Sequence, residues 1–398
     1  MYSSSFFDEI VDRRGTSCVK HDLSNEVFGL PDVLPMWVAD MDFRVAREIS
    51  TAVKARAEHD IYGYAFQPQS FYQSAVDWVQ RRHHWTIQPE WLSFSPGIVP
   101  ALNICVQAYT DPADKVIIQT PVYPPFYSAI KDHGREIVDN PLVKRDSSYE
   151  IDFDHLEKII DRQTKMLILC HPHNPVGRVW TRQELEQLAA ICVRHRLIVV
   201  CDMVHSDLAL DHQPCPSLAG ISPEIDALTV SLIAPSKTFN VAGLGTSLIF
   251  TSNPVLKAKF KKVCDSLHVG SGNIFGTVAL EAAYRHGDAW LNGLLEYINA
   301  NFDILDEWTA RAPYVQYIRS QGTYLAWLDF SPSGLSGNEL YDTIIRKARV
   351  GLNKGLEFGT GSASFMRMNL GCPASIVRQA IRRIDESFSS FKFRVDVS

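Results

Sequence analysis

The sequence predicts an α/β fold: a mostly parallel sheet between helices, followed by a smaller α+β domain. Three observations carry this. Short apolar runs alternate with helical patterns through the middle of the chain. Most runs are continuously apolar, as in strands covered on both faces. The last third then changes character and opens on one long helical stretch. A length of 398 residues suits one large domain plus one smaller one, and 46% apolar residues can fill both cores.

Taken in order, the predicted strands are Lys115–Gln119 (KVIIQ), Met166–Cys170 (MLILC), Leu197–Cys201 (LIVVC), Leu228–Ile233 (LTVSLI) and Ser247–Thr251 (SLIFT). Between the second and third lies TRQELEQLAAICVRHR, Thr181–Arg196, a helix that opens with a capping box of Thr181 and Glu184. Strands alternating with helices in this way predict a mostly parallel sheet with helices on both faces. Further on, Asp288–Ala312 reads as a long helix, Thr323–Asp329 as a strand, Asn338–Ala348 as a helix, Phe365–Leu370 as a strand and Ala374–Phe388 as a closing helix. The expected organisation is an N-terminal segment (1–50) packing with the small domain, a large domain (51–287) and a small C-terminal domain (288–398).

Composition narrows the function. A net charge of −6, with no long run of like charges, argues against nucleic acid as a partner. No apolar run approaches membrane-spanning length. The start, MYSSSFFDEIVDRRG, has no basic stretch followed by an apolar one, so no signal peptide is expected. Eight scattered cysteines without a C-x-x-C pair suit free thiols in the cytoplasm.

Five segments carry candidate chemistry. In APSKTFNVAG, Lys237 lies just past a predicted core strand, where desolvation would free its amine for Schiff-base chemistry. The competing reading is a surface lysine in a loop. Asp202 comes directly after the earlier predicted strand Leu197–Cys201, with His205 close behind; a carboxylate there can pair with a protonated pyridine nitrogen or simply cap a helix. In HPHNPVG, Asn174 sits in a turn at a strand end, and its amide could reach a ring hydroxyl. Cys170, His171 and His173 could be read as metal ligands, but no fourth ligand has the spacing, and no metal is expected. SPGIVP leads a glycine turn into a helix start, a phosphate cradle of backbone N–H groups. Arg367, inside the apolar strand FMRMNL, needs an anion: a substrate carboxylate or an internal ion pair.

The order Gly turn, Tyr123, Asn174, Asp202, Lys237, Arg367 resembles the fold-type-I pyridoxal-phosphate (PLP) enzymes, and in particular the C–S lyase branch of MalY/PatB-type cystathionine β-lyases and cystalysin. The wording that carries the resemblance spans nearly the whole chain: LPMWVADMDF (34–43), IYGY (61–64), SPGIVPAL (95–102), TPVYPPFY (120–127), CHPHNPVGRVW (170–180), DMVHSDL (202–208), APSKTFNVAGLG (234–245) and GTYLAWLDF (322–330). The resemblance implies an aspartate-aminotransferase-like fold with a seven-stranded sheet, and PLP as cofactor. By it, Lys237 bonds the cofactor, Asp202 pairs with the pyridine nitrogen, and Asn174 and His205 lie near the ring hydroxyl. Tyr123 stacks on the ring. The backbone of Gly97, Ile98 and Val99, with Ser236, holds the phosphate. Tyr64 reaches the phosphate of a partner subunit in a homodimer with shared sites, and Arg367, with Asn174 and Tyr123, binds the amino-acid substrate.

The implied reaction is α,β-elimination on cystathionine or another cysteine S-conjugate, giving a thiol, pyruvate and ammonia, with Lys237 as base and Tyr123 as acid to the leaving sulfur. Two alternatives stand beside it: transamination on the same cofactor, and a regulatory protein built on the enzyme fold. The chain departs from the family pattern at Met203, where Glu is usual, at His171, where Asn or Ser is common, and at Gly243–Gly245, where many aminotransferases carry an arginine.

Overall fold

Apolar residues dominate Thr164–Cys170, Ile198–Asp202 and Thr229–Ile233, and these runs form the centre of a sheet buried on both faces. The computed structural model describes residues 2–211, 213–389 and 391. In chain order the strands of the large sheet are β1 (Leu92–Ser95), β2 (Lys115–Ile118), β3 (Glu136–Asp139), β4 (Thr164–Cys170), β5 (Ile198–Asp202), β6 (Thr229–Ile233) and β7 (Ser247–Phe250). Their spatial order is β1-β7-β6-β5-β4-β2-β3. Neighbouring pairs from β6 through β3 are parallel, and β7 runs antiparallel to both β6 and β1. The register Cys170↔Asp202 and Asp202↔Leu232 brings the carboxyl ends of β4, β5 and β6 to one edge.

Helices α1 (Gln69–His83), α2 (Ile98–Tyr109), α3 (Arg182–His195), α4 (Pro235–Thr238) and α5 (Ile274–His286) belong to this part. The start of α3 is the expected capping box: Glu184 N–H donates to Thr181 Oγ1 at 3.2 Å, and Thr181 N–H donates to Glu184 Oε2 at 2.7 Å. Its inner face buries Leu185, Leu188, Ala189 and Cys192.

Beyond α6 (Asp288–Thr309) lies a second sheet of β8 (Gln316–Tyr317), β9 (Leu325–Asp329), β10 (Asn353–Lys354) and β11 (Phe365–Asn369), in the order β8-β9-β11-β10 and antiparallel throughout. It is closed by α7 (Ala374–Phe388). Two expectations need correction here. Strand β9 begins at Leu325 rather than Thr323, because Thr323 takes φ +76°, outside the extended region. The helix expected over Asn338–Ala348 is α-helical only over Gly337–Tyr341 and widens into a π-turn over Asp342–Lys347.

The N-terminal segment lies against this second sheet. Leu34–Pro35 pairs in parallel with Val350–Gly351. Asn369 Nδ2 donates to the carbonyls of Val38 (2.6 Å) and Asp40 (2.7 Å). An ion cluster pins the same stretch: buried Lys20 meets Asp42 at 2.7 Å, and Arg13 bridges Asp40 (2.6 Å) and Asp42 (2.7 Å).

Candidate active site

Parallel strands leave their ligand-binding groups at carboxyl ends, and here the segments after β1, β2, β4, β5 and β6 converge. They line a cavity of about 210 Å³ that receives Gly97, Ile98, Val99, Tyr123, Asn174, Asp202, His205, Ser236 and Lys237. Arg367 reaches the same place from β11 through Asn174. Tyr64 does not: it stands fully exposed and lines a separate groove with Phe66, Tyr72 and Phe94.

After β1, Gly97 takes φ +151°, a conformation side-chain-bearing residues rarely adopt, and turns the chain into α2. The first turn of α2, at Ile98 and Val99, therefore lines the cavity, as does Ser236. After β4, Gly177 (φ +72°) packs so closely that a Cβ would sit 2.3 Å from Ser320 Oγ. That contact fixes the HNPVG turn, which sets Asn174. The Asn174 N–H donates to Cys170 Sγ at 3.4 Å.

Asp202 is 3% exposed and accepts from the Val204 N–H at 3.1 Å. Burial raises its carboxyl to about 6, against the pull of the Val204 N–H and of Lys237. Lys237, one turn past β6, donates to the Ala39 carbonyl at 2.6 Å. Burial, helped by the nearby Arg367 cation, lowers its ammonium to about 8. His205 is buried with Nδ1 unpartnered, and burial holds its imidazole well below the usual range, so the ring is neutral. Tyr123 is pushed upward by burial and stays a phenol.

Arg367 is 4% exposed. It donates to Asn174 Oδ1 (3.1 Å), the Trp37 carbonyl (3.1 Å) and Asn353 Oδ1 (2.7 Å), and its Cζ lies 4.8 Å from the Phe358 ring centre. No carboxylate is among these partners, and Nε is buried without one. Burial lowers the guanidinium to about 10, still charged at neutral pH. Its direct partners are neutral, and the Glu357 carboxylate, which accepts from Asn353 at 3.1 Å, acts on it without a direct bond, so the cation can still receive an anion.

His171 and His173 are not poised as metal ligands. His171 Nε2 bonds the Pro216 carbonyl and Nδ1 accepts from the Trp180 N–H, and His173 Nε2 bonds the Pro121 carbonyl. Burial lowers both imidazoles to about 4. Sequence reasoning assigned no role to Ala39, Tyr324 or Asn353. Tyr324, fully buried, donates its hydroxyl to the same Ala39 carbonyl at 2.9 Å. The motifs LPMWVADMDF and GTYLAWLDF contain two of the three, but a carbonyl oxygen has no sequence signature.

The cavity suits a flat, phosphorylated pyridine. Its lining combines the start of α2 at Ile98 and Val99 with Ser236, the Asp202 carboxylate, Lys237 and the His205 imidazole, whose Nδ1 is unpartnered.

Comparison with known proteins agrees. The profile of the family "Aminotransferase class I and II" matches residues 35–384. The chain is 42% identical over 385 residues to cystathionine beta-lyase PatB of Bacillus subtilis (strain 168), covering 96% of this chain and 100% of that protein. Among solved structures, PLP-containing cystalysin of Treponema denticola superposes with a TM-score of 0.93 at 32% identity, covering 97% of this chain and 99% of that one. The PLP-bound C–S lyase of Staphylococcus hominis superposes with a TM-score of 0.89 at 31% identity, covering 96% and 97%.

Proposed function

The chain belongs to the aminotransferase class I and II family, and from that premise we propose that it is a PLP-dependent carbon–sulfur β-lyase acting on L-cystathionine or related cysteine S-conjugates. The observation that carries this reading is Lys237 in one cavity with Asp202, beside a buried arginine whose partners are all neutral.

PLP, when bound, supplies an electron sink for negative charge at the substrate's Cα. The residues of this chain supply the rest. Ile98 and Val99 N–H groups with Ser236 would hold the phosphate, and Asp202 would keep the proton on the pyridine nitrogen. Asn174 and His205 would meet the ring hydroxyl, and Tyr123 would stack on the ring. Arg367 binds the substrate carboxylate and so orients the Cα–H bond toward Lys237. Lys237 Nζ, with its basicity lowered by burial, takes the Cα proton. Tyr123, still a phenol, can return a proton to the leaving sulfur. The Cβ–S bond breaks, and with one water the products are a thiol, pyruvate and ammonia.

Transamination is the second reading, favoured by the family's own description. Product analysis separates the two. Incubation with cystathionine and S-alkyl-cysteines should yield pyruvate without any keto-acid acceptor; a strict need for an acceptor would favour the transaminase. The purified protein should be yellow, and Lys237→Ala should lose both the visible band and turnover. A wild type that stays colourless with added PLP defeats the proposal.

The domain division at residues 50 and 287, a cytoplasmic setting and a homodimer complete the proposal. Eight free cysteines support the setting. Among the described residues no helix is long and apolar enough to cross a membrane. The dimer is supported by the exposed aromatics Tyr62, Tyr64 and Phe66.

A further inference from the structure

Five residues after Asp202, the mechanism leaves a second buried carboxylate unused. Asp207 lies on the 3-10 turn Ser206–Leu208 that follows β5. Its Oδ1 accepts from Trp78 Nε1 at 3.0 Å and bonds His83 Nε2 at 2.9 Å, both on α1. Its Oδ2 accepts from Thr238 Oγ1 at 2.9 Å. Thr238 is the residue after Lys237 on α4.

Resting on the reading above, we infer that Asp207 and Thr238 are positioning residues that brace the base, Lys237, against the end of β5 and the loop after it, which carry Asp202 and His205. The two functional groups sit on different strands. The strand ladder pairs them only as far as Asp202↔Leu232, where the Met203 N–H donates to the Leu232 carbonyl at 2.9 Å. The Thr238–Asp207 bond links them again further on. A carboxylate with donors on both oxygens and 8% exposure holds its place firmly. The donors from α1 tie it in turn to the core, where Trp78 stacks on Tyr284 with ring centres 5.2 Å apart. The other ionisable groups near Asp207 are Arg82, Tyr284 and Cys215. Arg82 is committed to Asp288 and Asn292, and burial keeps the phenol and the thiol uncharged. Misplacing a reacting group by about 1 Å can cost on the order of 10²-fold in rate. Carboxylate binding depends on Arg367, Asn174, Trp37 and Asn353, none of which bonds to the brace. Loss of the brace therefore reaches the chemical step and spares substrate binding.

The test compares holoenzymes carrying Thr238→Val, which keeps the shape and loses the hydroxyl, with Thr238→Ser, which keeps the hydroxyl. Four quantities are read: kcat and KM for β-elimination from an S-alkyl-cysteine, the pH midpoint of the visible cofactor band, and Tm. Thr238→Val should retain the band, move its midpoint by about 0.3 pH unit or more, and lower kcat about tenfold with KM within about twofold. Thr238→Ser should restore both kcat and the midpoint. Asp207→Asn should act in the same direction and more strongly. Equal behaviour of the Val and Ser variants, or a Val variant altered only in Tm, overturns the inference; so does a folded Asp207→Asn enzyme with wild-type kcat and midpoint. Should Asp207→Asn fail to fold, the Thr238 pair still decides. A wild type without a visible band sinks the cofactor reading itself, whereas a normal band with an indifferent Thr238→Val sinks only the brace.

Discussion

Arg367 shows what a single residue can announce. An arginine inside FMRMNL is costly unless something anionic meets it, and the folded chain surrounds it with amide oxygens, a carbonyl and an aromatic ring. Arg367→Lys keeps the charge but loses the planar fork. It should lower kcat/KM for elimination by roughly one to three powers of ten, mostly through KM. An unchanged kcat/KM would make Arg367 a structural residue. Asp202 gives a second test, on the apoprotein. Its folded pKa, about 6, lies above the ordinary 3.8, so the folded state binds the extra proton between those values. Its contribution to stability is full below about pH 4 and is lost as pH rises through 6. Asp202→Asn removes that dependence, so relative to wild type the variant should gain on the order of 3 kcal/mol between about pH 4 and 7. Urea unfolding at several pH values measures it; parallel curves would disprove it. Lys237, Asp202, Asn174 and Arg367 were legible because each is a polar side chain placed where an apolar strand ends or runs. Ala39 was not, because its contribution is a main-chain oxygen brought to Lys237 from 198 residues away.

Among elements, the central strands were legible and the edges were not. Strands β4, β5 and β6 are apolar runs because both faces are covered. The edge strands β1 (LSFS) and β3 (EIVD) carry no such run; β3 is exposed at both ends, with glutamate and aspartate there. The two-residue strands β8 and β10 are too short for any period to show. The N-terminal stretch was legible as a motif, LPMWVADMDF, but not as a structure, since its hold comes from distant ion pairs and from Asn369. That hold makes a prediction. Lys20 is 1% exposed, and Asp42 is its near partner at 2.7 Å, with Asp40 at 3.9 Å. Asp42 is itself buried, yet Lys20 and the bonds from His21 and Arg13 hold its carboxyl below the usual range. Asp42→Asn should therefore cost about 3 kcal/mol of stability near neutral pH. The cost should shrink in acid, where wild-type Asp42 itself becomes protonated. A loosened Trp37–Asp42 stretch should also raise KM, because the Trp37 carbonyl orients Arg367. A variant with wild-type Tm and KM would show that the cluster is incidental.

At the scale of the whole molecule, one predicted residue, assigned to a partner subunit's cavity, stands apart from the cavity of its own chain. Tyr64 lies in a stretch without helix or strand, Glu58–Pro68, beside Ile61 (65% exposed), Tyr62 (56%) and Phe66 (78%). Exposed apolar side chains in such density mark a surface meant to be covered. Closed two-fold symmetry would cover it twice and deliver each Tyr64 to the other chain's cavity. Tyr64→Phe should then weaken PLP retention while leaving the fold intact. Mixing gives the sharper test. Chains with Tyr64→Phe and chains with Lys237→Ala each form poor homodimers. In a heterodimer one site inherits both lesions, and the other combines an intact Lys237 with the partner's intact tyrosine. Once the subunits exchange, elimination should rise above the average of the two parents, toward one wild-type site per heterodimer. Exchange can be followed with a mass or fluorescent label on one parent. If heterodimers form and activity stays at the parental average, Tyr64 serves its own subunit and the sites are not shared.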